Sequence, residues 1–157
     1  MRVAVTLREE LLAELGEARR ELLSSVEGLS KAQMTYPLAV GAWSAKDVLA
    51  HIASWDELRC FEIARVARGD APLYAGLHEE DFAAWNDLLI APRRDLPLDQ
   101  ALQELHYARE QVLEMIASVP DDRLAEVARG RVRIRRAAAH DREHTDQIRE
   151  WRQQEGL

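Results

Sequence analysis

In the stretch Ala137-Ala138-Ala139-His140-Asp141-Arg142-Glu143-His144-Thr145-Asp146-Gln147-Ile148-Arg149-Glu150-Trp151, Ala137, His140, His144, Ile148 and Trp151 recur at steps of three and four residues. That spacing places all five side chains on one face of an α-helix, from about Arg135 to Gln154. The face is otherwise apolar, so the two histidines point into the protein. Residues four apart on a helix have β-carbons ~6 Å apart, close enough for both imidazoles to reach one ion. The small run Ala137-Ala138-Ala139 is expected to leave room beside them for an ion, water and part of a substrate.

Upstream, three further helical patterns share this character. The first runs from about Leu7 to Glu27, with Leu11, Leu12, Leu15, Leu22, Leu23 and Val26 at helical spacing and Gly28 at its end. The segment Leu29 to Trp43, containing Pro37 and Gly41, reads as a connecting loop. Ser44 with Asp47 three residues on is a capping-box start for the second helix, which ends at Gly69 and places His51 in its early turns. A shorter helix, Asp81 to Ile90, carries Phe82, Trp85 and Asn86. Pro97 precedes the third long helix, Leu98 to Val119, and Pro120-Asp121-Asp122 marks a turn. These elements predict one all-α domain over residues 1–157, a four-helix bundle. The link between its second and third helices is long and partly helical, which permits a crossover in place of a simple hairpin. Only Arg131-Val132-Arg133-Ile134-Arg135 alternates with period two, and a lone strand is not stable by itself.

With 157 residues, 47% hydrophobic and 31% charged, the chain suits a single helical core. A formal net charge of −7 argues against nucleic acid or an anionic membrane as partner. The run Arg129 to Arg136 holds five arginines but no aromatic residue, and reads as a solvated segment. Cys60 is the only cysteine, so no intrachain disulfide forms and cytoplasm is the expected compartment. Inside a helical pattern, Cys60 reads as a small packed side chain rather than a catalytic thiol. No targeting or membrane-spanning stretch is visible.

Two enzyme patterns compete for the histidine pair. His140-Asp141-Arg142-Glu143-His144 has the form H-x-x-E-H, but only thirteen residues follow it, too few for the downstream ligand of that protease class. A diiron site needs two Glu-x-x-His copies, and none is present. A third ligand must therefore come from upstream, and His51 is the candidate. The alternative is that these are packed histidines bonded to Asp47, Asp141 or Glu143, and spacing alone leaves both open. His78 and His106 stand apart from other ligand types and are expected at most to line a pocket mouth.

The segment Gly41-Ala42-Trp43-Ser44-Ala45-Lys46-Asp47-Val48-Leu49-Ala50-His51-Ile52, with the closing His140-x-x-x-His144-x-x-x-Ile148-x-x-Trp151, resembles the DinB-like superfamily. Phe82-x-x-Trp85-Asn86 and Arg93-Arg94-Asp95-Leu96-Pro97-Leu98 resemble segments of related members. The resemblance covers nearly the whole chain. It implies a four-helix bundle with a crossover between helices two and three, often dimeric. It also implies a divalent ion, zinc or nickel, held by His51, His140 and His144. Members transfer low-molecular-weight thiols such as bacillithiol or mycothiol to electrophiles or isomerise a thiol adduct, and others have been proposed as hydrolases. The arginine-rich stretch departs from the Trp- and Pro-containing segment of relatives.

The expected chemistry is that of an open three-histidine ion, which lowers the pKa of a thiol cosubstrate or water near neutral pH. Glu143 and Asp47 are the expected helpers, as acceptors that orient a ligand imidazole or, for Glu143, as a proton shuttle. The substrate is expected to be a small molecule. A small-molecule hydrolase and a non-catalytic stress-linked binding protein are the alternatives. Leu58 and Phe61, off the main stripe of helix two, suggest a homodimer surface unless the Phe82–Trp85 helix covers them.

Overall fold

The computed structural model describes residues 5–130 and 133–157. Four long helices form the bundle: α1 (Leu7–Val26), α3 (Ala45–Ala67), α5 (Leu98–Ser118) and α7 (Ile134–Glu155). Three shorter ones join them: α2 (Lys31–Met34), α4 (Glu79–Ile90) and α6 (Asp121–Ala128). Thr6 with Glu9 and Ser44 with Asp47 form reciprocal capping boxes that start α1 and α3. At the other end of the chain Gly156 adopts a left-handed conformation, φ 70°, and stops α7.

Packing gives the direction of each helix. Leu11 and Leu15 of α1, Ile63 and Val66 of α3, Val112 and Ile116 of α5 and Ile134 and Ala137 of α7 share one apolar cluster. Leu22, Leu49 and Ile52, Leu105, and Ile148 and Trp151 share a second. Along the chain, α1 and α7 run from the first cluster to the second, whereas α3 and α5 run the opposite way. Two successive long helices that are parallel need a connection spanning the length of the bundle. The crossover from Arg68 to Pro97, containing α4 and a short 3₁₀ turn at Ala91–Arg93, supplies it. Trp55 of α3 anchors the crossover by donating its indole N–H to Asn86 Oδ1, 2.8 Å away.

Between the two clusters lies a polar layer. Arg19, Asp56, Arg59, Arg109 and Asp141 are all buried and joined by ion pairs of 2.9 to 3.1 Å.

Two expectations change. Pro120-Asp121-Asp122 is the start of α6, whose Leu124, Val127 and Ala128 are buried in the first cluster. Eight residues are too few to show a helical period, and packing against α1 and α3 holds the helix in place. Lys31–Met34 likewise forms a turn of helix inside the expected loop, capped by Ser30 and Gln33. Of the alternating segment, Arg131 and Val132 lie outside the described residues, while Ile134 and Arg135 begin α7. Among the described residues no helix is long and apolar enough to cross a membrane.

Candidate metal centre

His51 lies in the second turn of α3, where the Ser44 capping box sets the helix start and residues 45–56 are buried throughout. His140 and His144 lie one turn apart on α7, with Asp141 of the polar layer between them. The fold brings the three together. His51 Nε2 is 2.9 Å from His140 Nε2, which is 3.1 Å from His144 Nε2. The rings stand nearly edge to face, with centroids 4.7 to 5.0 Å apart. Trp43, immediately before the α3 cap, lies against the His51 ring at 4.7 Å.

Electrostatics keeps these imidazoles neutral. Burial, with His144 and Arg59 nearby, pulls the His51 pKa down to about 3. Burial, Arg59 and the other two histidines hold His140 well below the usual imidazole range. Burial also lowers His144, against the opposing pull of Gln147, Glu143 and Asp141. Neutral imidazole is the form that coordinates a metal.

His144 Nδ1 lies 2.7 Å from Gln147 Oε1. A carboxamide oxygen only accepts, so Nδ1 carries the proton and the Nε2 lone pair faces the other two rings. Three ring nitrogens converging without a cation between them bring lone pairs into conflict unless a proton intervenes. Three imidazoles on a tetrahedral ion have nitrogens about 3.3 Å apart, a few tenths of an ångström wider than the two distances to His140 Nε2. All three candidate donor atoms lie within 4.8 Å of one another. The donor set therefore fits a divalent ion, and the three histidines form a group that can hold one.

The group faces a cavity of about 270 Å³. Trp43, Trp55 and Phe82 give it aromatic walls, and Arg59, Asn86, Arg136, Glu79 and Glu143 give it polar ones. Several expected contributors stand elsewhere. Asp47 accepts from the Ser44 backbone N–H at 3.1 Å as a helix cap and is not part of the cavity wall. Glu143 does border the cavity, where it accepts from Arg136 Nη2 at 2.8 Å. Neither carboxylate bonds a ring nitrogen of the three histidines. The His51 and His140 Nδ1 atoms are buried without a hydrogen-bond partner among the described residues. The orienting acceptor is instead Gln147, three residues after His144, a spacing that sequence inspection can find.

Ala137 and Ala138 do not open space at the site. They are packed into the first apolar cluster, and the cavity is walled by larger side chains. His78 is exposed at the start of α4, and His106 is exposed on α5 beside a different cavity, so neither lines this one. Burial, with Asp56 and Glu57, pushes the Cys60 thiol up to about 11, so it remains a protonated, packed side chain at neutral pH.

A helical bundle with a crossover and three inward histidines at these positions defines a known class. The chain belongs to the DinB superfamily, whose family model matches residues 14–148. It is similar in fold to an uncharacterised protein from Escherichia coli UTI89, with a TM-score of 0.80, 16% identity, and 98% of this chain and 97% of that chain covered. It is likewise similar to the colibactin self-resistance protein ClbS, solved in complex with a dsDNA. There the TM-score is 0.76 and the identity 14%, with 96% of this chain and 98% of that chain covered. At these identities the two structures show a shared fold. No curated protein matches the chain in sequence.

Proposed function

We propose that this protein is a cytoplasmic metal-dependent enzyme that transfers a low-molecular-weight thiol to a small electrophile, with His51, His140 and His144 as the ligands of zinc or nickel. The observation that carries the reading is the convergence of three neutral Nε2 atoms at the wall of a cavity large enough for a small molecule. A divalent ion held there supplies Lewis acidity, which lowers the pKa of a thiol or water beside it. The chain's own residues do the rest. Gln147 fixes the His144 tautomer, and Trp43 buttresses His51. We assign the thiol proton to Glu143, which borders the cavity and accepts there from Arg136. Sulfur then bonds to the electrophilic carbon and the leaving group departs with its electron pair. Asp47 acts on this chemistry only through the start of α3.

ClbS, in complex with dsDNA, prompts a nucleic-acid reading as well. In this chain Arg135 is tied to Glu10 and Glu14, and Arg136 to Glu143, and the net charge is −7. Those features favour a small-molecule substrate. The deciding experiment assays metal-loaded wild type and His144→Ala with a panel of physiological thiols and a generic aryl electrophile. The expected result is metal-dependent conjugation that His144→Ala lacks. Equal rates for both proteins with every thiol would overturn thiol transfer and leave the hydrolase and binding-protein readings.

A further inference from the structure

The buried polar layer is one carboxylate short. In its ion pairs two carboxylates, Asp56 and Asp141, meet three guanidiniums, Arg19, Arg59 and Arg109, while the buried Glu62, one turn after Arg59, accepts instead from the Leu73 backbone N–H at 2.9 Å. Arg19 and Arg109 each pair with both carboxylates. Arg59 pairs with Asp56 alone, donating from Nη1 at 3.0 Å. Its Nε is buried with no hydrogen-bond partner among the described residues, and its Nη2 donates to none of them. Nε and Nη2 share one edge of the planar guanidinium, the edge whose two parallel N–H groups match a carboxylate.

The surplus charge sits in a telling place. Arg59 is only 2% exposed, yet it forms part of the wall of the cavity that the three histidines face. Burial pulls its guanidinium down to about 10, so it stays charged at neutral pH. A buried cation without a counter-charge is costly, and Arg19 and Arg109 already account for the layer's own carboxylates. Glu143, on the same cavity, is engaged by Arg136 at 2.8 Å, and the ion pair that Arg59 makes is with Asp56.

We propose that the Arg59 guanidinium, part of that wall, is an anion subsite, and that the substrate held beside the three histidines carries a carboxylate that pairs with it. The deficit is one negative charge, which a carboxylate supplies. A second negative charge would exceed that deficit, which disfavours a dianionic phosphate. Trp43, Trp55 and Phe82 select an apolar or aromatic body attached to the acid. The proposal rests on this cavity being the substrate site, as in the proposed function, but needs neither the ion nor the thiol.

The test uses protein stripped of metal by chelation at about pH 8, where the histidines are neutral and guanidiniums alone attract an anion. 3-Phenylpropionate and 3-phenylpropionamide are titrated by calorimetry and by tryptophan fluorescence into wild type, Arg59→Gln, Arg59→Lys and Arg136→Gln. The acid is expected to bind wild type about tenfold or more tightly than the amide, the scale of a charge-assisted hydrogen-bonded pair. Arg59→Gln should abolish that preference, Arg59→Lys should keep part of it, and Arg136→Gln should retain it. Absence of an acid preference in wild type, or its survival in Arg59→Gln, overturns the subsite. So does loss in Arg136→Gln alone, which places the anion at the other arginine. Tighter, Arg59-dependent binding of phenyl phosphate overturns the carboxylate assignment. If circular dichroism shows Arg59→Gln unfolded, wild type and Arg59→Lys decide. Failure here with metal binding and conjugation intact removes only the subsite, whereas the opposite pattern removes only the proposed function.

Discussion

Replacing Asp56 by Asn changes one oxygen to nitrogen and leaves volume and packing nearly unchanged, so it isolates the charge at the centre of the bundle. Asp56 Oδ2 accepts from Arg19 Nη2 and Arg109 Nε, each at 3.0 Å, and Oδ1 accepts from Arg59 Nη1 at 3.0 Å and Arg109 Nη2 at 3.4 Å. The side chain is wholly buried. In Asp56→Asn three guanidiniums share the single charge of Asp141, raising the layer's excess from one positive charge to two. Breaking a buried pair on one side costs about 3–5 kcal/mol. A domain of this size has roughly 5–15 kcal/mol in all, so the loss is about a fifth or more of the whole. At roughly 2–4 °C per kcal/mol, Tm should fall by about 6–20 °C. Urea unfolding followed by circular dichroism at neutral pH measures it. Arg59→Gln serves as the contrast, because it removes the surplus cation while Asp56 keeps Arg19 and Arg109, so it should cost less than Asp56→Asn. Burial by itself would raise the Asp56 carboxyl, but Arg109, Arg59 and Arg19 outweigh it and hold it below the ordinary carboxylate range. Its stabilising contribution is therefore present above the unfolded pKa of about 3.9 and disappears as pH falls through the lower folded value, so the gap between wild type and Asp56→Asn should close in acid. A loss under about 1 kcal/mol in Asp56→Asn, or an equal loss in Arg59→Gln, would refute the charge count.

Elemental analysis of protein purified without chelator or histidine tag should find one divalent ion per chain, absent from His51→Ala; near-stoichiometric metal in that variant sinks the three-histidine set. In metal-free protein the unfolded chain protonates these histidines below about pH 6.5, whereas burial holds the folded imidazoles lower. Stability should therefore be level above that pH and decline from about pH 6.5 to about pH 5, by up to roughly 2 kcal/mol per histidine. Level urea midpoints across that range would count against buried neutral imidazoles. Metal affinity should persist somewhat below the pH at which free imidazole releases an ion, and titration with a chromophoric competitor tests it. Leu58 is packed with Trp55, Phe82 and Trp85, but Phe61 remains 67% exposed. A homodimer using that face should give twice the 17.9 kDa mass in light scattering and become monomeric in Phe61→Asp. A monomer at micromolar wild-type concentration would remove the dimer.

Much of the fold was legible because each long helix buries a stripe with helical period. The Leu11–Leu15–Leu22 row, the Val48–Leu49–Ile52 row and the His140–His144–Ile148–Trp151 row all point inward as their spacing indicates. The Ser44 cap was legible too, since Ser44 and Asp47 act within three residues, whereas the equally local Thr6–Glu9 box was not picked out from the sequence. Local spacing also made His140 and His144 a pair. What spacing could not contain was any relation between elements remote in sequence. That His51 meets the pair across 89 residues, and that Asp47, one turn before it, serves the backbone instead, follows from how α3 is rotated against α7. Helix α6 escaped detection because two turns carry no period and are held by neighbours. Arginines and aspartates spaced along α1, α3, α5 and α7 look like solvated charges when read singly. Only the packed bundle closes them into a buried layer, leaving Arg59 in the wall of the histidine cavity with its Nε unpartnered among the described residues. Hydrophobic periodicity is a property of one helix and survives in the sequence, whereas charge pairing and ligand convergence are properties of the space between helices, which exists only in the folded state.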